Sequence, residues 1–195
     1  MNTFPLHTLE TAPAAAQAQL SAVKSRMGFL PNLHLKLAQS PVALEAYTTL
    51  SGIFEKASFS AGERQMILLA AAVENACEFC VAAHSRGAKR AKVDPAVLSA
   101  VRAGQPVPDD RMRALVEFTQ AVVRERGWVG EDRLKAFLES GFTPQQVLEV
   151  IVGVTLKTLS NYTSHVADIP LNEEFAEDRW TPGDAPGAHS HRHAS

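Results

Sequence analysis

The chain has few cysteines, no long apolar run and no excess of charge of one sign, and each shortage excludes a class of protein. Only two of its 195 residues are cysteine, and at this length a core forms without disulfide staples. No apolar stretch approaches the roughly 18–20 residues of a membrane span. The 19 basic and 21 acidic residues give a net charge of −2 and are scattered. We therefore expect a globular protein that binds neither membrane nor nucleic acid.

The first residues contain neither a basic segment nor an apolar one, which is unlike a signal peptide. We therefore predict a cytoplasmic protein. A reducing compartment also suits a pair of cysteines that lie three positions apart, at Cys77 and Cys80.

Helix signals recur along the chain, whereas strand signals are nearly absent. Proline stands at first-turn positions and glycine after last turns, and Ser60 with Glu63 forms a capping-box pattern. The pattern predicts an all-α fold of about seven to nine helices in a single domain, residues 1–178. Residues 179–195 offer little to bury and are predicted to be a disordered tail, whose three histidines (189, 191 and 193) would bind metal only adventitiously.

Two stretches of the chain resemble each other. Residues 59–63 and 142–146 each place a phenylalanine before a capping-box pattern and an apolar run, and at the same offset residues 77–80 align with residues 160–163. A duplicated helical hairpin, with thiols in one copy and hydroxyls in the other, would explain this. Chance similarity between two amphipathic helices explains it equally well.

The chemically informative segment contains two cysteines and a histidine. Asn75 is suited to cap a helix, with Glu78 three residues on, so Cys77 would lie in the first turn, where the helix dipole favours a thiolate. Cys80 follows one turn later. His84 is four residues further on the same face and could take the proton of Cys80 or stabilise its thiolate. The two thiols could also form a disulfide, which suits two-electron redox chemistry.

Three other interpretations of this segment remain open. A zinc site is disfavoured because Cys77 and His84 lie about 10 Å apart along a continuous helix. A thioredoxin-like site would need a preceding strand, which the sequence lacks. Finally, the two cysteines could be inert core residues beside a packed histidine.

The motif Cys77-x-x-Cys80-x-x-x-His84, after a helix containing Glu63-Arg64-Gln65, resembles the signature of the alkyl hydroperoxidase D and carboxymuconolactone decarboxylase superfamily. Residues 28–32, 60–65, 74–84 and 157–162 resemble its peroxidase-related branch, so the resemblance covers residues 28–178. It implies an all-α fold, a homo-oligomer (a dimer, trimer or hexamer) and thiol-dependent reduction of hydroperoxides. It implies no bound cofactor or metal, and a dithiol or lipoyl-type protein as external reductant.

The sequence departs from that family at two positions. Gln65 stands where the family's best-known branch has a relay glutamate, and Phe79 replaces a histidine between the cysteines. Glu74 is our first candidate for a substitute acid, and Glu63 is our second, although Glu63 suits capping better.

Further along the chain, Asn161 and His165 lie four residues apart on one helix face and would lie near the thiols or act in packing. Trp128 and Trp180 are predicted to be packing residues.

We therefore predict a thiol peroxidase with catalytic residues Cys77, Cys80, His84 and Glu74. Cys80 would be activated by His84 and Cys77 would be its disulfide partner, although the reverse order of attack stays open. The rival hypotheses are a redox-sensing or structural helical oligomer without turnover, and a decarboxylase-type enzyme that is indifferent to the thiols.

Overall fold

The structure, a computed structural model, describes residues 3–185, and in that range it contains nine α-helices and no β-strand. This confirms the all-α prediction. The helices are α1 (Ala14–Met27), α2 (Asn32–Leu37), α3 (Pro41–Phe54), α4 (Ala61–Glu74), α5 (Glu78–Arg90), α6 (Pro95–Arg102), α7 (Asp110–Arg124), α8 (Glu131–Glu139) and α9 (Pro144–Ala167). Two short 3₁₀ turns follow at Glu173–Asp178 and Pro182–Asp184.

Helix α4 forms the centre of the fold. Its capping box is present, with the Ser60 hydroxyl accepting from the Glu63 amide and the Glu63 carboxylate accepting from the Ser60 amide. Residues 66–73 are all buried, because α5, α6, α7 and α9 surround the helix. A helix that is apolar on every side belongs in a core, and α4 carries the site residues between its neighbours.

Helix α9 packs against α4 and begins with a matching capping box, Thr143 with Gln146. The similarity between the two stretches therefore holds at their helix starts. The similarity ends there, because α9 is one continuous helix of 24 residues, whereas α4 ends in a turn and a separate helix, α5, follows it. Within residues 3–185, α9 is thus not a second copy of the α4–α5 hairpin. Although α9 is long, neither it nor any other helix in residues 3–185 is long and apolar enough to cross a membrane.

The predicted start of the disordered tail, at residue 179, is too early, because the chain is still packed at Trp180. Trp180 is 1% exposed, and its indole nitrogen donates to the carbonyl of Arg102 at 2.8 Å. A single tryptophan buries enough apolar area to hold this short segment, which a count of apolar residues misses. The rest of the predicted tail, with its histidines 189, 191 and 193, lies outside the described residues. Trp128, predicted to pack, is instead 87% exposed.

Candidate active site

The turn between α4 and α5 brings the two cysteines to the start of α5. Helix α4 ends at Asn75, and Ala76 adopts the left-handed conformation with φ of 52°. The amide of Cys77 donates back to the carbonyl of Ala72, and that of Ala76 to Val73, which is a Schellman motif. The prediction that Asn75 caps α5 is therefore wrong, because Asn75 closes α4 and Cys77 itself is the N-cap of α5.

Both cysteines are buried free thiols, each 1% exposed. Cys80 lies in the first turn of α5, so both sulfurs are near the positive end of the helix dipole. The side chain of Asn75 donates to Oδ1 of Asn161 at 3.0 Å, which ties the cysteine turn to α9. Nδ2 of Asn161 is buried and has no partner in the described part of the chain.

Helix α9 presents polar side chains to Cys80. The hydroxyls of Ser160 and Ser164 lie 3.8 Å and 4.0 Å from its sulfur. One turn earlier is Lys157, which is only 1% exposed. The polar groups of α9 and the thiols of α5 therefore face each other across a buried helix contact.

A hydrogen-bonded chain runs from Lys157 through His84 to Gln65. Nζ of Lys157 lies 2.9 Å from Nε2 of His84, and Nδ1 of His84 lies 3.1 Å from Oε1 of Gln65. An ammonium group can only donate, so Nε2 accepts and the proton of the neutral ring sits on Nδ1, where it donates to Gln65. Burial, together with the charge of Lys157, lowers the pKa of His84 well below its ordinary value, which favours this neutral ring.

This chain corrects the predicted contact between His84 and Cys80. Both ring nitrogens of His84 are already partnered, and it is Lys157 that lies beside the Cys80 sulfur. Among the described residues, the hydrogen bonds of His84 thus lead to Lys157 and Gln65 rather than to the thiol. Gln65, which replaces the ionisable relay residue, serves as a neutral acceptor for a neutral histidine.

The two thiols differ in their acidity. Burial by itself opposes the thiolate of Cys80, but a hydrogen bond from Cys77 and the charge and hydrogen bond of Lys157 outweigh it, so the pKa of Cys80 falls well below its usual value. Burial raises the pKa of Cys77 well above its usual value, and the hydrogen bond to Cys80 adds to this. The arrangement therefore favours ionisation of Cys80 over ionisation of Cys77.

Neither candidate acid contacts His84. The carboxylate of Glu74 binds Arg124 through both oxygens, at 2.9 Å and 2.8 Å. Glu63 caps α4 and forms an ion pair with Arg111 at 3.0 Å, in agreement with the capping interpretation. The hydrogen bond to His84 that was predicted for Glu74 is therefore made by Gln65 instead.

A cavity of about 860 Å³ leads to the thiol pair. Cys77 and Ser164 line it, and Ser164 also lies against Cys80. Glu74 and His165 are part of its wall, so they lie near the thiols without bonding to His84. Of the two cysteines, Cys77 is the one that lines this cavity.

Sequence reasoning assigned no role to Lys157. A signal was present, because Lys157, Ser160, Asn161 and Ser164 recur at three- and four-residue spacing on one face of a helix that is otherwise apolar there. Burying the charge of a lysine on such a face costs free energy unless the ammonium group has a partner. Its position therefore indicates a specific partner. No metal-binding group of three or more His, Cys, Asp or Glu side chains occurs within residues 3–185.

Comparison with known proteins agrees with this description. Residues 41–121, which include the cysteine motif, match the model of the carboxymuconolactone decarboxylase family. A peroxidase-related protein from Ralstonia eutropha JMP134, described as an alkylhydroperoxidase AhpD core, is 26% identical with a TM-score of 0.79, over 88% of this chain and 93% of that one. No curated protein matches the chain in sequence.

Two more distant structures share the fold. A peroxidase-related protein from Silicibacter sp. TM1040 is 18% identical with a TM-score of 0.74, covering 89% of this chain and 92% of that one. The debrominase Bmp8, solved in complex with 2,3,4-tribromopyrrole, is 14% identical with a TM-score of 0.71, covering 85% and 89%. The family match over residues 41–121, the helical fold and the likeness to an AhpD core all agree with the resemblance to the AhpD and carboxymuconolactone decarboxylase superfamily.

Proposed function

We propose that the chain is a thiol-dependent hydroperoxide reductase in which Cys80 is the attacking thiolate and Cys77 the second thiol. The observation that carries the proposal is the asymmetry of the pair. The pKa of Cys80 is lowered by Cys77 and Lys157 against the effect of burial, while burial raises that of Cys77. The thiolate is the nucleophile in such chemistry, and the lowered pKa supports Cys80 as the sulfur that ionises.

The reaction proceeds in two oxidative steps. The Cys80 thiolate attacks the terminal oxygen of the hydroperoxide, the O–O bond breaks, and the sulfur becomes a sulfenic acid while the alkoxide takes up a proton and leaves as an alcohol. Cys77 then attacks the sulfenic sulfur. The S–S bond forms, and hydroxide leaves with the thiol proton as water.

The reduction step uses the other sulfur. An external dithiol that enters the cavity meets Cys77, which lines it. Attack at Cys77 releases Cys80, and the thiol of lower pKa is the better leaving group. Cys77 is thus the site of exchange with the reductant, which we expect to be a small dithiol or a lipoyl-type protein in the cytoplasm.

Mass spectrometry tests the proposal directly. The reduced protein is treated with one equivalent of tert-butyl hydroperoxide, blocked with iodoacetamide, and its intact mass is compared with those of Cys77→Ser and Cys80→Ser. We expect loss of two hydrogens and no alkylation in the wild type, and an alkylated or sulfenic product in each variant. Two alkylated thiols in the treated wild type would reject the proposal in favour of a packing role or thiol-independent chemistry.

Turnover separates an enzyme from a sensor. With dithiothreitol as reductant and excess hydroperoxide, an enzyme consumes many equivalents of peroxide per chain. If oxidation is efficient but stops at a single event per chain under reducing conditions, the redox-sensor hypothesis replaces the enzyme.

A further inference from the structure

Lys157 is a buried cation without a carboxylate partner. Its side chain is 1% exposed, and none of the ion pairs formed within residues 3–185 includes it. Its hydrogen-bond partner is the ring of His84, which accepts as a neutral group. A buried ammonium is costly unless an anion lies near it. The group placed to be that anion is the sulfur of Cys80.

We propose that Lys157 is the proton donor of the peroxidase reaction, releasing its proton when Cys80 is oxidised and recovering it when the disulfide is reduced. This inference builds on the proposed function and adds to it the residue that protonates the leaving oxygen. Lys157 is placed to act on the reacting sulfur and would be a catalytic residue, whereas His84, which holds its Nζ, and Gln65, which holds the His84 ring, are positioning residues.

The loss of the thiolate supplies the physical reason. When Cys80 becomes a sulfenic acid and then a disulfide, its negative charge disappears, and Lys157 keeps no anion in a buried site. The alkoxide released in the same step is strongly basic and forms next to the ammonium. Transfer of the proton to that oxygen removes both unpaired charges at once.

The step balances in atoms and charge. Cys80 thiolate, the ammonium of Lys157 and the hydroperoxide give Cys80 sulfenic acid, the neutral amine and the alcohol. Cys77 thiol and the sulfenic acid then give the disulfide and water. In the return step a dithiol is oxidised to its disulfide, and its two protons go to Cys77 and to Lys157, which restores the Cys80 thiolate.

The other titratable groups around this pair are accounted for. From α5 and its N-cap, Cys77 stays protonated because burial raises its pKa, and His84 stays neutral because burial lowers its pKa. From α3, burial, together with the charge of Cys80, raises the pKa of Tyr47 above its ordinary value, so the phenol also stays neutral. From α4 the facing group is the amide of Gln65, which does not titrate. Of these neighbours and the pair itself, Lys157 is thus the group placed to exchange a proton.

The test counts protons without using peroxide. Thiolate absorbance at 240 nm of reduced wild-type protein, compared with Cys80→Ser, reports whether Cys80 is ionised between pH 6.5 and pH 8. The equilibrium constant for exchange with reduced and oxidised dithiothreitol is measured over the same range. We expect one thiolate throughout and an equilibrium constant that stays within about twofold, because reduction of the protein takes up both protons of dithiothreitol.

Two results would overturn the inference. The equilibrium constant could instead shift towards the reduced protein by a factor of about ten for each unit by which the pH rises. That result would mean that Lys157 keeps its proton in the disulfide form. The absence of thiolate absorbance would mean that the ion pair does not exist. Either result leaves disulfide formation by hydroperoxide, which the mass measurement tests separately, untouched.

A pair of variants adds a second readout. Lys157→Met should lose the thiolate absorbance at pH 7 and slow oxidation by tert-butyl hydroperoxide by at least about a hundredfold, the usual minimum for losing a catalytic acid. Lys36→Met is the matched control, because Lys36 is also a buried lysine but donates to the carbonyl of Phe4, away from the thiols. Retention of the absorbance in Lys157→Met would contradict the inference, and if that variant does not fold, the wild-type measurements decide.

Discussion

The amide of Gln65 fills space that exists because residue 87 is glycine. A Cβ atom at position 87 would lie 2.8 Å from Cδ of Gln65 and closer still to its Oε1, the atom that accepts from His84. The missing side chain on α5 therefore lets the α4 residue reach the histidine ring. Such a close approach gives a helix-interior glycine a functional reason.

Gly87→Ala should separate stability from reactivity. The added methyl pushes the flexible Gln65 amide away from His84, while alanine by itself favours a helix interior by about 0.5–1 kcal/mol. We expect unchanged or slightly higher stability in urea. Because losing one hydrogen bond of about 1 kcal/mol loosens the His84–Lys157 pair, we expect disulfide formation by tert-butyl hydroperoxide to slow about fivefold.

Gly52→Ala is the control for that variant. Gly52 is also inside a helix, α3, and nothing lies within 4 Å of a Cβ placed there. It should show the full gain of about 0.5–1 kcal/mol that alanine brings to a helix interior, with no change in rate. Equal rates in the two alanine variants would show that the contact between Gln65 and His84 does not position Lys157.

Gln65→Glu should change the ionisation of His84. A carboxylate in place of the amide accepts the same Nδ1 proton and adds a negative charge, and both favour the imidazolium. The pKa of His84, which burial and Lys157 lower in the wild type, should therefore rise. Nuclear magnetic resonance titration of the histidine rings measures the shift, and a His84 titration identical to that of the wild type would contradict the assigned hydrogen bond.

Glu74→Gln tests the acid that the sequence singled out. Because the Glu74 carboxylate is bound by Arg124, we expect the peroxide rate to change less than threefold and the free energy of unfolding to fall by about 1 kcal/mol. The rate is measured by alkylation and mass spectrometry. A tenfold or greater loss of rate with the fold intact would restore Glu74 as a catalytic acid.

Much of the fold could be predicted from local signals alone. The capping boxes at Ser60 and Thr143 fix helix starts through hydrogen bonds within a few residues, and the proline at the start of α3 does so through its fixed φ. All three are present. The start of α5 was misplaced because Asn75 suits both ends of a helix. Only the left-handed backbone of Ala76, an unusual residue for that conformation, decides between them.

The sequence singled out residues that the structure brings near one another, but it did not predict the contacts that these residues make. The spacing of Cys77, Cys80 and His84 indicated thiol chemistry, since all three lie on one short segment. The partner that matters, Lys157, comes from a helix 73 positions away, and its role depends on how α9 packs against α5. Such a contact has no local signature beyond one lysine on a buried face, so the direct His84–Cys80 contact was the natural but wrong prediction.

A second buried histidine, His34, should make the stability of the protein depend on pH in acid. His34 is 5% exposed, its ring meets Tyr47 edge-on with centroids 5.3 Å apart, and its Nδ1 has no partner among the described residues. Burial, aided by the charge of Arg26, lowers the pKa of His34 from 6.5 to about 4. The unfolded chain therefore binds a proton at His34 below pH 6.5 that the folded chain does not bind until about pH 4.

Stability should consequently fall as the pH drops through this window. Between pH 7 and pH 5 the His34 contribution amounts to a loss of about 2 kcal/mol in the free energy of unfolding, and neutral His84 adds a loss of the same sign. Urea unfolding of the wild type and of His34→Phe, which keeps an aromatic ring against Tyr47, isolates the first part. The variant should lose about 2 kcal/mol less than the wild type over this range. Parallel losses in the two proteins would mean that His34 is protonated in the folded state at pH 5, which a buried ring without an anionic partner does not favour.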